Sequence, residues 1–496
     1  MIVAVTLSIY FITDSLGWTF SEFLISEELK AYSTVFNTDS ILDKGYFLKS
    51  FFGGIFITIC MTGLDQDMMQ KNLSCKSLKD AQKNMLSFSI VLTLVTLLFL
   101  LLGALLFIYA KKTGFPFQES FHLASTIQLS NTKYSINDGK PDLRLHPVHQ
   151  FSRWYSSSMK RKTLINKWNK SDPFFNSLFQ TQLCNYLNAT RGFHISPNNI
   201  VNTRSTEMSL YVVSQLLLKQ NDIVLVGNLS NYASNMIFQQ TGARIKTIPV
   251  DKNGLNIEYI KKHFVKHSIR CVYICAHRDY PTTVKLSTER RLALLQLAKE
   301  YKFAIIEDDY DYDFQFEGSA MLPMATADTN GMVIYLGKLG QSLFPSFQTG
   351  FVIAPENLIS EAKNYLQLLD KQGDLIQEQM LSELITEGEI YRLMKKNIVN
   401  YKQRRDYFCK LLTTYFKEVA QWNIPTGGLA IWLQFEPKIS LIKLAKEANK
   451  NDLFIPNTVL YQDKNTCAIR VGFGHLDTDE IEPVIKRLKN AYNKIS

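Results

Sequence analysis

The stretch GKLGQSLFPSFQTG (337–350) lies between two apolar runs, MVIY (332–335) and FVIA (351–354). Short apolar runs suit strands buried on both faces, and the Gly, Pro and Ser between them suit a turn. The stretch therefore reads as a strand, a polar turn and a returning strand. Similar runs recur: IVLVG (223–227), CVYICA (271–276), FAIIEDD (303–309), MVIYLG (332–337) and FVIAP (351–355). Between them lie helical stretches such as STERRLALLQLAKEYK (287–302), with Leu292, Leu295 and Ala298 at helical spacing. Strands alternating with helices give an α/β pattern with a mostly parallel sheet. Ligands of such sheets bind at the carboxyl ends of the strands.

Two strand ends carry chemistry. IVNTRSTEMSLYVVSQLLL (200–218) reads as a strand, a short turn and a helix starting near Ser205 and Thr206. Free N–H groups and the helix dipole make such a terminus an anion site, although Ser-Thr is also an ordinary N-cap. FAIIEDDYDYDF (303–314) ends a hydrophobic strand in acids interleaved with tyrosines. Acids crowded there mean a ligand site, a metal site or a solvated acidic turn.

YPTT (280–283), EDDYD (307–311), the loop 337–350 and IRVGFGHL (469–476) follow one another in a telling order. With the entry segment DGKPDLRLHPVHQFSRW (138–154), they resemble the fold-type I, aminotransferase-like domain of MocR-type regulators, over about residues 134–496. The resemblance implies a large part near 180–375, and a smaller α+β part formed by 134–179 with 376–496. It also implies pyridoxal 5'-phosphate as cofactor, an amino acid or amine as ligand, and a homodimer. Asp308 would pair with the pyridine nitrogen, Tyr310 would contact the phenolic oxygen, and Ser205 and Thr206 would hold the phosphate. Arg470 would grip a substrate carboxylate.

The loop departs from that family, whose pattern is approximately G-[ST]-F-S-K-x-L-x-P-G-x-R-x-G. The Schiff-base lysine becomes Gln341, the phosphate arginine becomes Gln348, and the residue after the first glycine becomes Lys338. Ser205, Thr206 and Glu207 stand where Gly-Thr-Gln is usual, and Asn231 stands near the ring-stacking tyrosine, beside Tyr232. A glutamine amide hydrogen-bonds but forms no imine. Losing a covalent group typically costs several powers of ten in rate. Losing a charge-assisted bond to phosphate costs about 1.5–3 kcal/mol. Lys338 is the candidate substitute, for the phosphate or for the imine. It stands three residues early, so strand geometry displaces its Cβ by about 10 Å and turns it to the other face. Gly337, Pro345 and Gly350 keep the frame of the loop. The readings are thus an aminotransferase-like domain with impaired catalysis, a working aminotransferase using Lys338, or a fusion of decayed genes.

The front of the chain differs. Residues 86–110 (LSFSIVLTLVTLLFLLLGALLFIYA) carry no charge and are closed by Lys111 and Lys112. Such a run can cross a hydrocarbon core of about 30 Å. MIVAVTLSIYFI (1–12) and SFFGGIFITICMTGL (50–64) are shorter candidates, giving one to three transmembrane helices within 1–112 and a membrane location. The stretch 51–85 resembles part of a sodium/solute symporter, over about 1–115. Three helices cannot build that family's site, so transport by this chain alone is not expected. The lysines of 65–87 place that loop in the cytoplasm and the rest of the chain opposite. Residues 113–133 read as a linker.

The formal net charge is +10, and all the excess lies after residue 118. This is a mild surplus over a long segment and reads as a solvated basic surface. No winged helix-turn-helix pattern precedes 134, so specific DNA binding is not expected. Seven scattered cysteines show no metal-ligand spacing and read as free thiols.

Overall fold

The computed structural model describes residues 132–160, 177–318, 321–339, 349–370, 374–463 and 466–495, with scattered positions between 9 and 106. The chain divides into two units, 1–129 and 130–496. In the first unit the described positions are nearly all helical, among them Phe11 to Thr13 and Leu98 to Gly103. No helix among the described residues is long and apolar enough to cross a membrane. The expectation of transmembrane helices, and of a membrane location, is corrected accordingly. The charge-free run at 86–110 is described only as short helical pieces, and the candidate at 50–64 and nearly all of the linker lie outside the described residues.

The second unit is built on a seven-stranded sheet. Its strands are β1 (Ile200–Thr203), β2 (Ile223–Gly227), β3 (Arg244–Ile248), β4 (Cys271–Ile274), β5 (Ala304–Asp309), β6 (Val333–Leu339) and β7 (Thr349–Ile353). The spatial order is β1-β7-β6-β5-β4-β2-β3. The pairs from β3 through β6 are parallel, and β7 runs antiparallel to both its neighbours. The central strands are buried almost throughout, as continuous apolar runs require when both faces are covered. The edge strand β3 (RIKTI) is mostly exposed and carries the charges.

Period-two alternation divides the faces. Val224, Val226, Tyr273, Ile306, Leu336 and Val352 pack with Leu210 and Val213 of helix α1 (Thr206–Leu217). Leu225, Val272, Ile274, Ile305 and Val333 pack with Leu294 and Leu297 of helix α2 (Thr288–Tyr301). The sequence anticipates α2, but Leu292 is 58% exposed. Its buried stripe runs through Arg291, Leu294, Leu297 and Ala298, one register from the apolar set chosen by spacing alone.

The opening stretch forms the predicted strand and return. β6 extends to Leu339, and β7 begins at Thr349, with Lys338 opposite Gly350 and Gly337 opposite Phe351. Residues 340–348 lie outside the described residues. Gly337 is required because a Cβ there would stand 2.5 Å from the Phe351 ring.

A second, antiparallel sheet holds the smaller part: β8 (Ala420–Gln421), β9 (Ala430–Phe435), β10 (Leu460–Gln462) and β11 (Cys467–Gly472), in the order β8-β9-β11-β10. Helices α3 (Glu389–Phe416) and α4 (Thr478–Asn493) contribute Phe408, Leu412, Val484 and Ile485 to its core, beside Leu433 and Ile469. Tyr134–Ser135 pairs with Leu453–Phe454, and Asp142 pairs with Arg404 of α3 at 2.8 Å, so the entry segment is fastened to this part. The described cysteines, Cys184, Cys271, Cys275, Cys409 and Cys467, are free and buried.

Candidate active site

A cavity of about 790 Å³ opens at the carboxyl ends of the parallel strands, where the large sheet meets β11 and the entry segment. Asp308, Tyr310, Lys338, Arg470 and Thr206 all line it. Ser205 stands immediately beside it as the N-cap of α1. Gln341 and Gln348 lie outside the described residues.

Asp308 is 8% exposed on β5 and shares a sheet face with Tyr273 of β4. The Tyr273 hydroxyl donates to Asp308 Oδ2 at 2.6 Å. Asp308 Oδ1 is buried with no partner among the described residues. Burial pushes the Asp308 carboxyl up to about 6, against the pull of the Tyr273 hydrogen bond and of Lys338. The same burial, with Asp308 beside it, holds the Tyr273 phenol well above its usual value.

Lys338 shares that face. Parallel pairing sets Asp308 against Leu336, and Lys338 stands two residues further along β6. Burial lowers the Lys338 ammonium, while Asp308 and Glu207 resist the shift. The primary amine thus faces the same cavity as the orphaned carboxylate oxygen.

At the opposite wall, Arg470 of β11 donates to Asp138 O at 2.9 Å, Pro281 O at 2.8 Å and the Tyr310 hydroxyl at 3.3 Å. Its guanidinium lies 4.7 Å from the Tyr280 ring centre. Burial keeps the Tyr310 phenol far above its usual range, despite Arg470.

At the head of α1, Ser205 Oγ accepts from Met208 N at 3.1 Å as an N-cap. Thr206 Oγ1 is buried and unpartnered among the described residues. Glu207 lines the cavity from the first helical turn. Asn231 lines it too and caps its own helix, accepting from Ala233 N at 2.9 Å; Tyr232, at 52% exposure, faces away from this set.

The acidic run 307–313 divides its work. Glu307 accepts from the backbone N–H groups of Met324 and Ala325 at 2.8 and 3.0 Å. Asp309 pairs with His277 at 3.2 Å and accepts from the Tyr335 hydroxyl at 2.8 Å. Against burial, those partners and Arg191 hold Asp309 down at about 2. Asp311 takes Arg278 at 2.7 Å, and Asp313 takes Arg191 at 3.0 Å. Asp308 and Asp311 line the cavity, and of these two Asp308 has a buried oxygen, Oδ1, without a partner among the described residues. Sequence reasoning missed Tyr273, whose signal was a phenol within an otherwise apolar strand end, and the Arg191 and Arg278 partners, which are far away in sequence.

The ring end of this cavity suits a pyridine nitrogen, since the unpaired Asp308 oxygen needs an N–H donor. No family model matches the chain. It is 27% identical over 308 residues to the uncharacterized HTH-type transcriptional regulator YdfD of Bacillus subtilis, covering 62% of this chain and 63% of that one. It is 27% identical over 368 residues to the uncharacterized aminotransferase SSO0104 of Saccharolobus solfataricus, covering 71% and 90%. The solved structure of a Pyrococcus horikoshii kynurenine aminotransferase, in complex with PMP, superposes with a TM-score of 0.68 at 23% identity, over 77% of this chain and 96% of that one. The chain thus spans a little under two thirds of the regulator YdfD. These proteins lend no support to the symporter resemblance. The regulators among them run against the expectation of no DNA contact, and the segment where a DNA-binding element would stand lies almost wholly outside the described residues. The homologues of this chain include MocR-type regulators and aminotransferases, and its fold is that of the fold-type I aminotransferases.

Proposed function

We propose that residues 132–495 form an aminotransferase-like domain that binds a pyridoxal-class ligand together with an amino acid or amine, with ordinary transamination impaired by Gln341. The observation that carries this reading is Asp308, with its Oδ1 buried and unpartnered among the described residues, lining one cavity with Lys338 and Arg470. When bound, such a ligand supplies an electron sink. Asp308 would receive the ring N–H, with its carboxylate fixed by the Tyr273 hydroxyl on the other oxygen. Tyr310, partly buried and protonated, would present a hydroxyl donor to the ring's phenolic oxygen. Arg470 is held in place by two backbone carbonyls and directs its remaining N–H groups at a carboxylate. Gln348 and Ser205 belong to this reading by resemblance, and so does a homodimer.

A second reading has Lys338 in place of the missing lysine. Its placement on the Asp308 face, with an ammonium lowered by burial, favours it. Borohydride treatment of the full chain with pyridoxal phosphate, followed by peptide mapping, separates the two. Under the first reading, reducible adduct in the cavity appears only in Gln341→Lys. Under the second, wild type is fixed at Lys338. Absence of saturable binding in both proteins would sink the proposal as a whole.

A further inference from the structure

We infer that this cavity selects an unphosphorylated pyridine ligand, carrying a neutral hydroxymethyl arm, over its 5'-phosphate ester. The inference rests on the proposed ring site at Asp308, whose buried Oδ1 is unpartnered among the described residues.

A helix N-terminus ordinarily draws an anion. The head of the twelve-residue α1 is built otherwise. Its Ser205 side chain already occupies the Met208 N–H, and Ser205 O occupies the Ser209 N–H. Glu207 places a carboxylate in the first turn, on the cavity wall. Asp308 adds a second acid nearby, and the stretch 337–350 contains no arginine. Of the other cations on the wall, Lys133 and Lys140 lie on the entry side, Arg144 is paired with Asp142 and Glu480, and Arg470 is anchored on Asp138 O, Pro281 O and Tyr310. At the head of α1 the acids Glu207 and Asp308 both act on Lys338, so among the described residues a dianion placed there would meet two carboxylates against one ammonium. The Thr206 hydroxyl, unpartnered among the described residues, is by contrast a neutral partner suited to an alcohol. Glu207 is an exposed residue on the cavity wall, and its charge raises both the Asp308 carboxyl and the Lys338 ammonium.

The test uses 4-deoxypyridoxine and its 5'-phosphate, which lack the aldehyde and so ignore surface lysines. Each is titrated calorimetrically into the full chain, as wild type, Glu207→Gln and Asp308→Asn. Wild type is expected to bind the free alcohol about tenfold more tightly than the ester at low salt, the scale of a charge repulsion near a surface. Glu207→Gln should close most of that gap by strengthening the ester alone. Asp308→Asn should weaken both compounds alike. An ester that binds wild type more tightly than the alcohol, or a ratio unmoved by Glu207→Gln, overturns the inference and leaves the ring site standing. Binding of neither compound overturns the proposed ring site and this inference with it.

Discussion

Tyr273 donates its hydroxyl to Asp308 Oδ2 at 2.6 Å and leaves Oδ1 buried and without a partner among the described residues. A carboxylate half-satisfied in this way stores a penalty that a ligand's N–H can relieve. The sign follows from its pKa, about 6 in the folded chain against an ordinary value of 3.8. Between those values the folded state keeps a proton that the unfolded state has released. This contribution to stability therefore falls as pH rises through about 4 to 6, and the deficit is complete above 6. Its size is on the order of 3 kcal/mol.

Asp308→Asn removes the ionisation and keeps an acceptor for Tyr273. The variant is expected to be more stable than wild type at pH 7.5 by 1–3 kcal/mol, on the order of that deficit, and to match it near pH 4. Urea midpoints at the two pH values measure this. An unchanged difference between them would show that Asp308 does not titrate in this window.

Lys338 and Asp308 are coupled across adjacent strands. Lys338 holds the Asp308 carboxyl down, against burial. Lys338→Met should therefore move the Asp308 titration upward from about 6, and the stability loss with rising pH should extend to a higher pH. Carbon-detected NMR of the aspartate carboxyls reads the shift directly. A downward or absent movement would mean that the two side chains do not face one another.

Much of this fold was legible because buried parallel strands write themselves as apolar runs: IVLVG and FAIIEDD became β2 and β5 with little change. The helix at 287–302 was legible as a helix, but its facing was not, because four leucines and two alanines spread around it leave the choice of stripe to the sheet it meets. In the site, Asp308 and Arg470 came from motif order. The pairing of Asp309, Asp311 and Asp313, which leaves Asp308 without an ionic partner among the described residues, depends on His277, Arg278 and Arg191, which only the fold brings near. Lys338 shows the limit most clearly. Counting from position 341 turned it to the other face from that position, which lies outside the described residues, whereas pairing with β5 sets it on the face of Asp308. The charge-free run at 86–110 had the length of a membrane span, but no helix among the described residues is long and apolar enough to be one.

Arg470 joins three parts of the chain through Asp138 O, Pro281 O and Tyr310. A lysine supplies a point charge and cannot keep this fork. Arg470→Lys is expected to lower stability by about 1.5–3 kcal/mol, the worth of a hydrogen bond to a charged group. It should also weaken carboxylate-bearing amino acids at least tenfold while leaving their decarboxylated amines nearly unchanged. Parallel titrations with an amino acid and its amine check this. Equal weakening of both would assign Arg470 a purely structural role.

Gly350 faces Lys338 across the return of the opening stretch, and its other side meets the turn into α1. A Cβ there would stand 2.4 Å from Ser205 C and O and 2.6 Å from Thr203 Oγ1. Two of those atoms are backbone and cannot swing aside, so β7 must move away from β1 or the N-cap must be displaced. Gly350→Ala is expected to cost about 3 kcal/mol, the upper end for overpacking a tight site. Gly388→Ala is the control: its φ is +71° and nothing lies within 4 Å of the added atom. There the penalty is conformational only, about 1 kcal/mol. Chemical denaturation gives both differences, and hydrogen exchange at Ser205 to Met208 should accelerate in Gly350→Ala alone. Equal losses in the two variants would mean that the close approach of β7 to the head of α1 is not what holds this end of the cavity.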